Sequence, residues 1–234
     1  MTDGGYKSMN IMLQFYVIAV IFTTIIVSSI VQIETKEPDM NAIRAEISCR
    51  CGKVKIAIDS PSALRFVCYC KDCRGYYNTL NSLALKNNIP EAAKLDAFGG
   101  VDVTQIYPRE IKILEGRDHL ETCLIRDKSP YHRTYCKSCY TPLYSIGQGT
   151  GAALLNSALL PEKSQTNEVQ YRIIGRQALK GDGSSKKPSM SWSVPLGWFF
   201  TMPKRVGNKC GVDPEPSKSI EGKELKILEG FTEG

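Results

Sequence analysis

Seven of the nine cysteines lie in three short stretches: Cys49-Arg50-Cys51, Cys68-Tyr69-Cys70-Lys71-Asp72-Cys73 and Cys136-Lys137-Ser138-Cys139. Neighbouring thiolates in C-x-C and C-x-x-C turns can reach one metal ion together, and four thiolates complete a tetrahedral zinc site. Two pairs and one triplet therefore predict one closed site and one site with three ligands and a free position. The alternatives are disulfides and cysteines packed as small hydrophobic residues, although scattered core cysteines would not cluster in this way.

The composition is that of an ordinary globular protein. The chain has 234 residues, 42% of them hydrophobic, and its nine cysteines are too sparse for a disulfide-stapled miniprotein. The tight cysteine spacing favours metal binding in a reducing compartment. The net charge is +6, yet residues 171–209 alone hold eight basic residues against one acidic residue. The rest of the chain is close to neutral, so no nucleic acid partner is expected.

An uncharged segment near the amino terminus predicts a membrane anchor. Residues 11–33 contain no charged side chain, and fourteen of them are Ile, Leu, Val or Phe. A helix of this length spans about 35 Å, against roughly 30 Å of bilayer hydrocarbon. A cleaved signal peptide is the alternative, although its apolar region usually has only about 7 to 15 residues. We expect a single-pass transmembrane helix, whose orientation is not determined by Lys7, Lys36 and Arg44.

The sequence after the anchor predicts a mainly β domain. Short apolar or alternating runs between turn signals are typical of strands, and they occupy residues 53–59, 64–70, 101–107, 110–114 and 120–125. One short helix is predicted over residues 75–85, with Tyr76, Leu80 and Leu83 on one side. The predicted organisation is a polar amino terminus at 1–10, the anchor at 11–33, a linker at 34–44, the metal-binding β domain at 45–160, a basic extension with aromatic residues at 161–210 and a polar, poorly ordered tail at 211–234.

The two outer cysteine pairs indicate a structural metal site. The four-cysteine cluster consists of Cys49, Cys51, Cys136 and Cys139. About 85 residues separate its two halves, so one ion bound by both pairs would close the domain from its first strand to near its last. Metal binding of this kind contributes folding free energy directly.

The cysteine triplet, Cys68, Cys70 and Cys73, indicates a reactive metal site. A zinc ion with three protein ligands keeps a position for water or substrate, which is the arrangement of a catalytic metal. Three thiolates on Zn²⁺ leave a formal charge of −1, which the flanking Lys71 and Arg74 could offset. Such a soft, electron-rich site suits an incoming thiol.

Three longer elements form a specific family signal: Ser48-Cys49-Arg50-Cys51-Gly52-Lys53-Val54, Cys68-Tyr69-Cys70-Lys71-Asp72-Cys73-Arg74 and Arg133-Thr134-Tyr135-Cys136-Lys137-Ser138-Cys139-Tyr140-Thr141-Pro142-Leu143. On these elements the chain resembles the glutathione-dependent formaldehyde-activating enzyme and centromere protein V family. The resemblance implies a β-tent fold with two zinc ions: a structural zinc on the four-cysteine cluster and a labile catalytic zinc on the triplet. It also implies a carbon–sulfur lyase activity, the condensation of formaldehyde with glutathione to S-hydroxymethylglutathione.

The chain departs from the family pattern in two places. Tyr140 stands where the family usually has a glycine, and residues 95–103 look like those of an uncharacterised branch. The metal chemistry therefore transfers from the family, whereas the glutathione-contacting residues cannot be placed.

The prediction is a membrane-tethered zinc enzyme of the carbon–sulfur lyase type, with its metal-binding domain in the cytoplasm. Its partners would be an aldehyde and a small thiol such as glutathione. One alternative is a non-catalytic, membrane-tethered zinc-binding scaffold, because the centromere relatives show that the fold need not be used as an enzyme. The other is a lumenal domain in which the triplet is redox-active and binds no metal.

Several further residues are weighed against ordinary structural roles. His119 and His132 are the only histidines, and each is a candidate proton shuttle or fourth ligand, although a surface or hydrogen-bonded role is favoured. Cys123 and Cys210 have no partner at ligand spacing and are predicted to be spectators. Arg133 is predicted to have a structural role beside the Cys136 and Cys139 pair.

The basic stretch includes an aromatic segment at residues 191–205 that contains both tryptophans. Aromatic residues beside lysines and arginines can rest on an anionic membrane surface, which would place the domain on the cytoplasmic side. The favoured alternative is that these aromatic residues cover the core of the domain itself.

Overall fold

The computed structural model describes residues 42–61, 63–148, 152–162, 168–181, 183, 186–196 and 225–234. The predicted anchor at 11–33, most of the predicted linker, Cys210 and Trp198 lie outside these residues. Within them, no helix has the length and apolar character needed to cross a bilayer.

The described part of the chain is mainly β, as predicted. Its eleven strands are β1 (Ile43–Ser48), β2 (Lys55–Ser60), β3 (Leu64–Cys68), β4 (Val101–Ile106), β5 (Ile111–Glu115), β6 (Leu120–Leu124), β7 (Tyr131–Cys136), β8 (Pro142–Gly147), β9 (Ala153–Asn156), β10 (Tyr171–Ile173) and β11 (Lys226–Ile227). One α-helix, α1 (Lys71–Lys86), follows β3. Short 3₁₀ turns occupy Pro108–Glu110, Arg117–His119, Ser157–Leu159 and Gly175–Gln177.

The strands form two sheets. The smaller is antiparallel in the order β1-β2-β5, and the larger has eight strands in the order β10-β3-β4-β9-β8-β7-β6-β11. The larger sheet is antiparallel in its interior, whereas β10 and β11 pair in parallel at its two edges. Both hairpins that carry the four-cysteine cluster, β1–β2 and β7–β8, are antiparallel pairs. The β1–β2 register is regular, whereas the β7–β8 register shifts between Thr134 and Tyr135.

Strand β1 lies before the first cysteine pair, where the sequence analysis expected the end of a linker. Ile43 and Ile47 alternate with polar residues and are buried against Ile56 and Ile58 of β2. Their burial on one face is what a strand with a two-residue repeat produces. The strand pairing therefore begins at Ile43, within the predicted linker.

Helix α1 is longer than predicted because it begins at the cysteine triplet. Cys70 is its N-cap residue, and the Cys70 thiol accepts a hydrogen bond from the Cys73 N–H at 3.3 Å. A side chain that accepts from the first turn satisfies one of the free N–H groups of a helix. Tyr76 and Leu80 are fully buried in a second core together with Phe66 and Val101.

The last ten residues pack against the domain, so the expectation of a poorly ordered tail is wrong for residues 225–234. Strand β11 pairs with β6, and Leu228 is buried in the second core. The chain then passes over helix α1 so closely that a Cβ atom on Gly75 would lie 2.4 Å from the Thr232 carbonyl oxygen. Glycine at position 75 permits this approach.

Candidate metal centres

The four-cysteine cluster forms where two hairpin ends meet. Cys49 follows β1 and Cys136 ends β7, and each is joined by a second cysteine from the turn that comes next. The Sγ atoms of Cys49 and Cys51 are 3.4 Å apart, and those of Cys51 and Cys136 are 3.8 Å apart. All four sulfur atoms lie within 4.8 Å of one another. The structure thus unites the two pairs that the sequence predicted to share an ion.

Hydrogen bonds fix the geometry of both cysteine turns. The Val54 N–H donates to Cys49 Sγ at 3.3 Å, and the Thr141 hydroxyl lies 3.0 Å from Cys139 Sγ. The Arg50 N–H donates to the same Thr141 hydroxyl at 3.3 Å, which links the first turn to the second. Bonds to sulfur orient a metal ligand and stabilise its thiolate form.

The cysteine triplet forms at the junction of β3 and α1. Cys68 is the last residue of β3, Cys70 caps the helix, and Cys73 lies in its first turn. Their sulfur atoms also lie within 4.8 Å of one another. Cys68 and Cys73 are buried, and Cys70 is half-buried. The three side chains therefore converge on one point.

The donor sets suit a metal ion better than a disulfide. Every cysteine that the structure describes is a free thiol. The measured sulfur–sulfur distances in the four-cysteine cluster far exceed the roughly 2.05 Å of a disulfide bond. They are close to the separation of about 3.8 Å that follows from tetrahedral coordination with Zn–S bonds of about 2.3 Å. Both clusters could hold a metal ion.

The thiols of the triplet shift one another's pKa values in opposite directions. Hydrogen bonds to Cys70 and Cys73, with burial, raise the pKa of Cys68 well above its usual value. Hydrogen bonds from Cys68 and Cys70 lower the pKa of Cys73, and the Arg133 guanidinium lowers it further. The bond with Cys68 lowers the pKa of Cys70, but its contact with Cys73 and its burial bring the value to about 12. Without a cation, the cluster therefore retains protons at neutral pH.

The cation beside the triplet is Arg133. The sequence had predicted Arg133 to lie near the four-cysteine cluster, and Lys71 and Arg74 to offset the charge of the triplet. Arg133 is buried on β7, and its Nη2 lies 4.0 Å from Cys73 Sγ, so it serves the triplet and not the adjacent Cys136 and Cys139 pair. Its guanidinium also lies 5.0 Å from the ring centre of Tyr76.

The two flanking cations named in the sequence analysis are engaged elsewhere. Arg74 donates to the backbone carbonyls of Tyr69, Gln177 and Gly234, and Lys71 Nζ lies 4.0 Å from a Glu233 carboxylate oxygen. Neither side chain is therefore directed at the thiols.

The segment at residues 95–103 contacts the triplet through Tyr69. Tyr69, which lies between two cysteines of the triplet, is fully buried, and its hydroxyl donates to Asp96 Oδ2 at 2.8 Å. Asp96 Oδ1 in turn accepts from the N–H groups of Phe98 and Gly100. Asp96 thus links the turn before β4 to the C-x-C turn of the triplet.

A cavity of about 250 Å³ opens beside the triplet, and all three cysteines line it. Its other walls come from separate parts of the chain, which include β3, β4, β7, β9, β10 and Val194. The sequence does not predict this wall, because no local pattern connects its residues. The triplet therefore forms part of the wall of a space that can hold a small molecule.

The remaining candidates have ordinary surroundings. His119 Nδ1 lies 3.1 Å from the Ser138 hydroxyl, and neither histidine belongs to a metal-ligand group among the residues that the structure describes. Burial lowers the pKa of His132. Cys123 is buried and donates to the Arg133 carbonyl oxygen at 3.5 Å, and burial raises its pKa to about 12.

The aromatic segment divides between the interior and the surface. Val194 packs against the second core and lines the cavity, whereas Trp192 and Leu196 are 72% and 74% exposed. The favoured expectation that the aromatic residues cover the core is therefore wrong for Trp192.

Residues 41–183 match the model of a family described as "Family of unknown function (DUF6151)". No curated protein matches the chain. A solved structure that is similar to this chain is the crystal structure of a Rhodobacter sphaeroides protein determined as a structural genomics target. It is 15% identical, covers 53% of this chain and 97% of its own length, and has a TM-score of 0.37. At that TM-score the likeness supports no conclusion about fold or function.

Proposed function

The chain belongs to the family of unknown function DUF6151, and we propose from its cysteine clusters that it is a zinc-dependent enzyme of the carbon–sulfur lyase type. The observation behind this proposal is that three sulfur atoms converge on the wall of a cavity of about 250 Å³. A ligand set with a free position next to a space for a small molecule is the arrangement of a catalytic metal. The motif resemblance to the formaldehyde-activating enzymes supports the same reaction class.

The four-cysteine cluster has the properties of a structural zinc site. We call the buried apolar cluster around Ile47 and Leu143 the first core. It includes three cysteines of the four-cysteine cluster: Cys49, Cys136 and Cys139. Four thiolates leave no free position, and an ion held between β1–β2 and β7–β8 would tie the smaller sheet to the larger one. A zinc bound there would contribute to folding and would not meet substrate.

The proposed reaction joins a small thiol to an aldehyde, or separates them in reverse. The thiol sulfur forms a bond to the carbonyl carbon, the π bond of the carbonyl group breaks, and the thiol proton ends on the former carbonyl oxygen. Zinc at the triplet would supply Lewis acidity that lowers the pKa of a thiol entering the free position. The chain's own part is to hold three ligands at one side of the cavity, to exclude water with its apolar walls, and to place Arg133 where negative charge accumulates.

Metal analysis and a condensation assay test the proposal. We expect two zinc ions per chain in natively purified protein and one in a Cys68→Ser variant, which should also lose thiol–aldehyde condensation. Cys123→Ala is the matched control, because Cys123 is a buried free thiol outside both clusters, and it should retain both ions and activity. Zinc-free native protein, or full condensation activity in the Cys68→Ser variant, would disprove the proposal.

The second candidate is a non-catalytic zinc-binding scaffold on a membrane. The exposed Trp192 and Leu196 beside the basic residues of the extension favour such an interaction role. The charge-free segment at residues 11–33 supports single-pass anchoring, and the basic, aromatic segment at 191–205 would favour a cytoplasmic domain. Zinc binding without any thiol–aldehyde activity, together with vesicle binding that Trp192→Ser abolishes, would favour the scaffold.

A further inference from the structure

We infer that the thiol accepted at the triplet has an uncharged, largely apolar body and carries no carboxylate. The inference rests on the proposed function and narrows its substrate class, because glutathione carries two carboxylates and an ammonium group. It follows from the lining of the cavity, from the charges that already surround the triplet and from the conformation of one wall residue.

The cavity wall is dominated by apolar groups. Phe66 of β3, Leu154 of β9 and Ile173 of β10 face the space from the larger sheet, and Ile174 and Val194 close it from the side. Burial of apolar surface is favourable, whereas a buried polar group without a partner costs free energy. This surface therefore binds an alkyl or aryl group more favourably than a charged group.

Asp72, the acidic side chain on the described wall, already has a partner. Asp72 forms two bonds of 2.6 Å with the Arg126 guanidinium. Arg133 is buried, and it lies against Cys73 and the rings of Tyr76 and Tyr131. A ligand carboxylate would have to compete with the Cys73 thiolate for Arg133, which is the remaining cation on this wall among the described residues.

The net charge around the triplet also disfavours an anionic body. A divalent ion with three thiolates has a charge of −1, and Arg133 brings the group to neutrality. The sulfur of an incoming thiolate adds one negative charge, and a carboxylate would add a second inside a mostly apolar space. Burying unpaired charge of this kind is strongly unfavourable.

Ile174, an apolar residue of the cavity wall, has a strained backbone conformation. Its φ is +60°, in the left-handed region that β-branched residues rarely adopt. Residues in such strained conformations cluster at ligand sites. The Ile174 N–H donates to the Ser193 carbonyl oxygen at 3.4 Å, which holds Ile174 beside Val194 at the cavity.

The test compares two thiols with the same carbon chain, 3-mercaptopropionate, which carries a carboxylate, and its uncharged methyl ester, with glutathione as a third probe. The full chain is loaded with Co²⁺, and the sulfur-to-cobalt charge-transfer band and ligand-field bands report binding of each thiol. We expect the ester to reach half-saturation at a concentration at least about tenfold below that of either carboxylate-bearing thiol. Leu154→Lys, which adds a cation to the wall, should reduce that difference while the Co²⁺ content stays unchanged.

Two outcomes contradict the inference, and they are distinguishable. If 3-mercaptopropionate or glutathione binds as tightly as the ester, the apolar substrate class is wrong and the thiol-binding zinc enzyme stands. If none of the three thiols perturbs the spectrum of a protein that holds Co²⁺ at the triplet, the proposed function fails and the inference fails with it.

Discussion

Arg133 Nη2 lies 4.0 Å from Cys73 Sγ, in a buried contact that joins β7 to the first turn of helix α1. A buried guanidinium beside a thiolate compensates negative charge that water cannot reach. The contact ties β7 to the triplet, and it makes Arg133 the electrostatic partner of the thiolates that would hold an ion there.

Replacing Arg133 with Met should therefore weaken metal binding at the triplet. Loss of a partner that orients or compensates a ligand typically lowers metal affinity by about 10- to 100-fold. Arg133→Lys should retain part of the affinity, because it keeps the charge. Competition with a chromogenic chelator measures the effect, and Arg44→Met is the control, since Arg44 is an exposed residue that pairs with Asp59. Equal affinity in Arg133→Met and wild-type protein would contradict this role.

Metal binding at the triplet should strengthen as the pH rises. The pKa of Cys70 is about 12 and that of Cys68 is raised, so both thiols are protonated at neutral pH in the absence of an ion. Each must give up its proton to a bound metal, whereas Cys73, with its lowered pKa, contributes little. The apparent affinity should rise by up to about tenfold per pH unit for each proton released.

Isothermal titration of the Cys51→Ser variant in buffers of different ionisation enthalpy counts the released protons. This variant removes one ligand of the four-cysteine cluster and leaves the triplet intact. An affinity that does not change between pH 6 and pH 8 would show that the thiols are already ionised.

The sequence predicted the metal-ligand sets because their spacing is local and thiol chemistry is distinctive. It placed Arg133 wrongly because nearness along a strand is not nearness in space. Residues 133 and 136 differ by an odd number, and successive side chains of a strand point to opposite faces. The cavity could not be predicted at all, since Phe66, Leu154 and Val194 meet only after strands that are distant in sequence have paired.

Tyr140 occupies a backbone conformation that favours glycine. Its φ is +56°, its ring stacks 6.2 Å from that of Tyr135, and its hydroxyl accepts from Asn87 Nδ2 at 3.1 Å. Tyr140→Ala loses these contacts and keeps the strain, whereas Tyr140→Gly loses the contacts and relieves the strain. The glycine variant should thus be about 1 kcal/mol more stable than the alanine variant. Urea unfolding measures the unfolding free energies of the two variants, and a glycine variant less stable than the alanine variant would contradict the prediction.

Alanine substitutions at Gly116 and Gly52 distinguish the free-energy cost of a steric clash from the cost of backbone strain. Both have a positive φ, +77° and +73°, but a Cβ atom on Gly116 would lie 1.9 Å from the Lys53 carbonyl oxygen, whereas a Cβ on Gly52 would meet nothing within 4 Å. Gly52→Ala should cost about 1 kcal/mol for strain alone. Gly116→Ala must also displace the backbone at Lys53, so its cost should exceed that of Gly52→Ala by about 2 kcal/mol or more. Equal unfolding free energies would show that the Lys53 turn yields without penalty.

Removing the two ions should have different consequences for stability. The ion of the four-cysteine cluster would link residues about 85 positions apart in sequence, inside the first core, so its loss releases a long loop and leaves buried thiols without a charge partner. Thermal unfolding of the Cys51→Ser variant should therefore show a large fall in Tm. Cys70→Ser disrupts a site formed within six residues of chain, whose removal frees no comparable loop, and its Tm should fall much less. If both variants unfold at the same temperature, the four-cysteine cluster has no special structural role.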